Sequence, residues 1–128
     1  MYARQKHYQA VSLASRIEAA SSHQLVTILY EELIRALDVC CTAMSQQKPE
    51  ALRSAHSRAV SILLSLQGSL DVERGGTLAA NLSGIYQSMG TQLSKAVSSA
   101  DTAKMAPLRQ GVADLLGAWS SITLSKAA

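Results

Sequence analysis

Four stretches of the chain repeat apolar residues at spacings of three and four, the period that gathers side chains on one face of an α-helix. The first runs over about 22–45, where Leu25, Val26, Ile28, Leu29, Leu33, Ile34, Leu37, Cys40, Cys41 and Met44 cover more than one narrow stripe. Such a helix should be flanked on two sides. The second, about 49–68, carries Leu52, Ala55, Ala59, Ile62 and Leu66 as a coiled-coil-like seam, with Val60, Leu64 and part of Leu63 lying off it. The third, about 76–98, places Leu78, Leu82, Ile85, Met89, Leu93 and Ala96 on one face. Its position in the chain suggests the central contact of an antiparallel four-helix bundle. The fourth, about 104–122, has Met105, Leu108, Val112, Leu115, Trp119 and Ile122 in register, with Leu116 off the seam.

Punctuation between these stretches agrees with the period. Ser21-Ser22 can cap the first helix, because a serine oxygen accepts from the free amides of a first turn. Pro49 suits the first turn of the second helix, where its missing N–H is no loss. Gly75-Gly76 reads as a hinge, and Ser98 to Thr102 closes one helix and caps the next. Gly84 and Gly90 inside the third helix predict close approach of another backbone. Residues 1–20 read as an arm or short helix with Tyr2, Tyr8, Val11, Leu13 and Ile17 spaced among polar residues, and 125–128 as a disordered tail. The domain that remains, 21–124, is an all-α four-helix bundle.

Composition narrows the function classes. At 128 residues the chain can bury a core without metal or disulfide. With no Phe and one Trp, aliphatic residues and Ala must fill that core. The net charge of +3 is dispersed, with three cations against one anion in the first eighteen residues, which is not the clustered footprint of a nucleic-acid binder. No apolar run reaches the roughly 20 residues of a membrane span, and the N-terminus lacks a signal-peptide core. A cytosolic protein without membrane insertion is expected. Cys40 and Cys41, adjacent on a helix, diverge too far for a disulfide and read as free thiols in a reducing compartment.

Catalytic chemistry finds no foothold. His7, His23 and His56 stand apart with no metal-ligand spacing, and His56 reads as a half-buried, hydrogen-bonded imidazole. Glu31 and Glu32 begin a solvated acidic edge, Asp71 and Glu73 are turn charges, and no serine sits in a nucleophile elbow. No cofactor, metal or catalytic residue is assigned. Binding through apolar helical grooves is the favoured class.

Several segments, in order, resemble those of one known protein family. Tyr8 stands nine residues before Ile17. Ala20-Ser21-Ser22-His23-Gln24-Leu25-Val26-Thr27-Ile28-Leu29-Tyr30 is similar to that family's first-helix opening, with Ser22 where many members have proline. Ala59-Val60-Ser61-Ile62-Leu63, then Leu66 and Leu70-Asp71, resembles its middle segment, with Arg58 in place of the usual lysine. Leu78-Ala79-Ala80-Asn81-Leu82-Ser83-Gly84-Ile85-Tyr86 is similar to its Leu-Ala-x-Asn-Leu signature, and Ala118-Trp119 to its closing pair. Over almost its whole length the chain thus resembles the FliS family of flagellin export chaperones.

The resemblance implies a bundle with a mobile N-terminal segment that holds the disordered C-terminal region of flagellin in the cytosol. It implies no catalysis, prevention of early polymerisation, and delivery to a component of the flagellar type III export gate. The expected state is a monomer when free and a one-to-one complex with flagellin. The off-seam apolar residues Val60, Leu64, Ile85, Tyr86 and Leu116 become candidates for the flagellin groove, with Asn81 at its edge. The arm around Tyr8 could occupy that groove until flagellin arrives. The competing expectation is a structural bundle subunit that self-associates through the same faces.

Overall fold

A computed structural model of the chain describes residues 12–127, all helices and connections among them. Residues 12–19 form α1, followed by α2 (Ser22–Ser45), α3 (Pro49–Gly68), α4 (Val72–Ser98), a 3-10 turn (Thr102–Lys104) and α5 (Met105–Ala127). Tyr8 lies outside the described residues. Helix α5 continues through Ser125, where a tail was expected, since neither glycine nor proline interrupts 118–127.

Local chemistry sets the boundaries. Ser21 caps α2 with a reciprocal pair: its Oγ accepts from the Gln24 N–H, and the Gln24 Oε1 accepts from the Ser21 N–H. Pro49 opens α3 as expected. Asp71 accepts from the Arg74 N–H to start α4, and Asp101 does the same for Ala103. Helices α2 and α4 end alike: Lys48 N–H reaches Ala43 O and Gln47 N–H reaches Met44 O, while Asp101 and Ala100 donate to Ala96 and Val97. Each ending puts a side-chain-bearing residue, Gln47 (φ 54) or Ala100 (φ 51), where glycine is the easy choice.

The glycine hinge is real but sits inside α4. Gly76 has φ 55 and ψ −131, so the first turn, Val72 to Gly75, is offset from the long run that follows. The two other glycines of α4 behave differently from expectation. A Cβ at Gly84 would meet nothing within 4 Å, and one at Gly90 would only touch Leu63 Cδ1 at 4.0 Å. Neither marks backbone contact. The tight sites lie elsewhere and face side chains: a Cβ at Gly75 would stand 2.6 Å from Ala79 Cβ of the same helix, and one at Gly111 of α5 would stand 3.3 Å from Met89 Cε.

Helix pairs run antiparallel, as cross-links of opposite numbering show. His23 and Asp38 of α2 meet Trp119 and Arg109 of α5, and Leu63 and Gln67 of α3 meet Gly90 and Ser83 of α4. The helix at the centre is α2, not α4. Its Leu33, Ala36, Leu37, Cys40 and Ala43 are buried on a face wide enough to serve both α3 and α5. Helix α4 leans mainly on α3, and its seam with α5 is much thinner than either seam of α2. The outward face of α4 lacks the bulk to fill a second contact: between Arg74 and Lys95 it offers mostly Ser, Thr, Gln, Asn and Gly.

One polar pair crosses the apolar interior. Tyr30 of α2 and Tyr86 of α4, both buried, place their hydroxyls 2.6 Å apart, so one donates to the other. Burial pushes both phenols above their ordinary range, for Tyr86 with the Tyr30 contact adding to the rise. Cys40 and Cys41 are free thiols, and burial pushes that of Cys40 up to about 11. His56 departs from expectation, because its Nε2 is buried without a hydrogen-bond partner among the described residues. Glu32 does too: instead of standing in solvent it is mostly covered, 3.8 Å from Arg35 and 3.9 Å from Arg58.

Candidate functional site

Where α3 and α4 pack, their outward edges leave a groove of about 810 Å³. Sequence explains it. In α3 the run Ile62-Leu63-Leu64 is too apolar for one stripe, so Ile62 and Leu63 enter the core while Leu64 stays 62% exposed. In α4 the facing positions Gly90, Thr91 and Ser94 are small and cannot close over it. Val60, half-buried, and Leu63 form the floor with Tyr86, whose ring is held by its bond to Tyr30. The Gln67 amide donates to Ser83 Oγ at 3.1 Å and bridges the two helices at one end. At the other end stand Lys95, Ser98, Ser99 and Lys104.

Of the candidate residues, the structure brings together Val60, Leu64 and Tyr86. Ile85 does not join them: 40% exposed, it lines a separate hollow of about 290 Å³ over the α4–α5 seam with Met89, Pro107 and Gly111. Adjacent helix positions point about 100° apart, and here the turn from Tyr86 to Ile85 leads away from α3 and toward α5. Leu116 is partly buried against the core, and Asn81 is exposed without lining the groove. Sequence reading missed Gln67 and the hydroxyl row of α4. The Gly-Thr-x-x-Ser sequence at Gly90, small and polar beside Leu93, was the available signal.

A second hollow, about 600 Å³, lies where α1 meets the start of α2 and the end of α5, lined by Arg16, His23, Thr27 and Ser120 among others. The Trp119 indole stacks on His23 at 4.3 Å and 11°, and its Nε1 donates to the His23 carbonyl at 3.0 Å. Arg16 ties α1 to Glu31 of α2 at 3.0 Å. Trp119 thus anchors the C-terminal helix to the start of α2. Among the described residues no three His, Cys, Asp or Glu side chains gather as a metal site. Nor is any described helix long and apolar enough to cross a membrane.

An apolar, open groove on a helical bundle agrees with comparison to known proteins. The family model described as flagellar protein FliS matches residues 4–126. The chain belongs to the FliS family. Relatives named flagellar secretion chaperone include FliSB of Pseudomonas aeruginosa, 30% identical over 92% of this chain and 94% of its own length. FliS of Vibrio cholerae is 30% identical over 90% and 85%, and that of Salmonella typhimurium 31% over 92% and 88%. Matches of this extent take in all four long helices, so the α3–α4 groove of this FliS-family chain lies within the shared region. The family is one of secretion chaperones and not of enzymes.

Proposed function

We propose that this protein is a cytosolic flagellar export chaperone that receives the disordered C-terminal region of flagellin in the α3–α4 groove. Holding that region keeps it from polymerising early and presents it to the flagellar type III export gate. The observation that carries the reading is Leu64: a large aliphatic side chain left 62% exposed beside Val60 and Tyr86, in a groove whose opposite wall is too small to cover it. Family membership supplies the partner's class. An unfolded partner loses several kcal/mol of conformational freedom on ordering, about 2–5 or more, and apolar burial along such a groove is the term that offsets it. The free protein is a monomer and the complex is one-to-one.

Calorimetric titration with the C-terminal segment of flagellin from the same organism tests this. Saturation at one-to-one with a negative heat-capacity change, weakened by Leu64→Glu while the helical circular dichroism is retained, supports the reading. Absence of binding by well-folded protein, with light scattering at twice the monomer mass, would replace it with self-association through the same face.

A further inference from the structure

The two ends of the α3–α4 groove differ in charge and in hydrogen-bonding character. None of the residues lining it is acidic, and its two charged residues, Lys95 and Lys104, both stand at the end where α4 terminates. Neither takes part in a salt bridge among the described residues. Ser94, Ser98 and Ser99 line the same end. At the far end the Gln67–Ser83 bridge joins α3 to α4 and carries no charge. From Ser83 to Lys95 α4 rises about 18 Å, room for roughly three turns of a docked helix.

A helix is itself polar. Its last turn shows carbonyls without partners and an effective charge of roughly −0.5, its first turn shows free N–H groups and a similar positive charge. The two ammonium groups suit the carbonyl end and repel the other, whereas the hydroxyls, which donate or accept, suit either. We infer that the segment held in the groove docks as a helix in one direction only, parallel to α4, with its C-terminal turn over Lys95 and Lys104. This rests on the function proposed above and adds to it the polarity of the bound flagellin segment. Val60, Leu64 and Tyr86 supply apolar contact that either direction could use, so the lysines are the residues that choose between them.

Benzophenone placed in turn at successive positions of the flagellin C-terminal peptide, followed by cross-linking to the wild-type protein and mass spectrometry, reads the direction. Within the stretch that reaches the groove, positions contacting Gln67 and Leu64 should precede in sequence those contacting Lys95 and Lys104. The double variant Lys95→Gln/Lys104→Gln should bind the peptide about three- to tenfold more weakly at low salt. That gap should close at high salt, whereas the loss caused by Leu64→Glu should persist. The reverse cross-linking order, or equal affinity of the lysine variant at low salt, overturns the polarity and leaves the groove reading standing. Failure of the wild-type protein to bind the peptide at all overturns the flagellin reading itself.

Discussion

Replacing the buried tyrosines singly and together separates a hydrogen bond from two independent hydroxyls. In Tyr86→Phe the Tyr30 hydroxyl loses the group 2.6 Å away, and Tyr30 is only 2% exposed, so water cannot substitute without the helices parting. A buried hydroxyl left without a partner costs about 1–3 kcal/mol, and the same applies to Tyr30→Phe, since Tyr86 is 3% exposed. The double variant has no orphan. It forfeits only the net worth of one hydrogen bond, about 0.5–1.5 kcal/mol, partly regained by the more apolar interior. The double change should therefore cost about 1.5–4.5 kcal/mol less than the sum of the single changes. Urea unfolding followed by circular dichroism gives all four stabilities, and unchanged m-values confirm that the unfolded state is the same reference. Costs that add within about 0.5 kcal/mol would refute the reasoning, because they would mean that each hydroxyl finds another partner.

Adjacent residues of α3 should give opposite results: Leu63→Ala, at a position 5% exposed, should cost about 2–5 kcal/mol of stability in urea unfolding. Leu64→Ala should leave the urea midpoint nearly unchanged and weaken the flagellin peptide about five- to twentyfold in titration calorimetry, from about 1–1.8 kcal/mol of lost apolar burial. Gln47→Gly and Ala100→Gly, which relieve a left-handed backbone at the ends of α2 and α4, should each stabilise by about 0.5–1 kcal/mol, read as a raised urea midpoint. Alkali should destabilise the fold: Cys40 and the two tyrosines hold their protons more tightly folded than unfolded, so the unfolded state deprotonates first. Stability should be level below about pH 9 and fall as pH rises through 9 to 11, and a urea midpoint flat over that window would contradict the burial of these groups.

Helix limits were legible wherever the signal was local. The Ser21 cap, Pro49, the glycine hinge and the Asp101 cap each act within one turn of the chain, and each was readable before any contact was known. Which helix lies at the centre was not. Both α2 and α4 carry sustained apolar spacing, and only packing reveals that the breadth of the α2 face, with Cys40 and Ala36 fully enclosed, outweighs the mid-chain position of α4. Candidate groove residues divided for the same reason. Val60 and Leu64 fell off the seam and proved to border the groove, but period alone gave Ile85 the same standing as Tyr86. Their separation depends on the bond between Tyr86 and Tyr30, fifty-six residues apart in sequence. A small-residue wall is harder still to foresee. Gly90, Thr91 and Ser94 matter through the space they leave.

The unequal support of α4 bears on how the bundle would respond to a guest. Helices α2, α3 and α5 form a platform, and α4 is mounted on it chiefly through α3, with a kinked first turn and little grip on α5. Of the four long helices α4 is the most lightly packed, so its amides should exchange with solvent ahead of those of α2. The groove lies along the one side where α4 is held. A helix seated there becomes a new neighbour for Tyr86, Thr91 and Ser94, and converts the most lightly packed of the four long helices into an interior one. Cargo would then act as a missing piece of the chaperone's own core, tightening the carrier that shelters it.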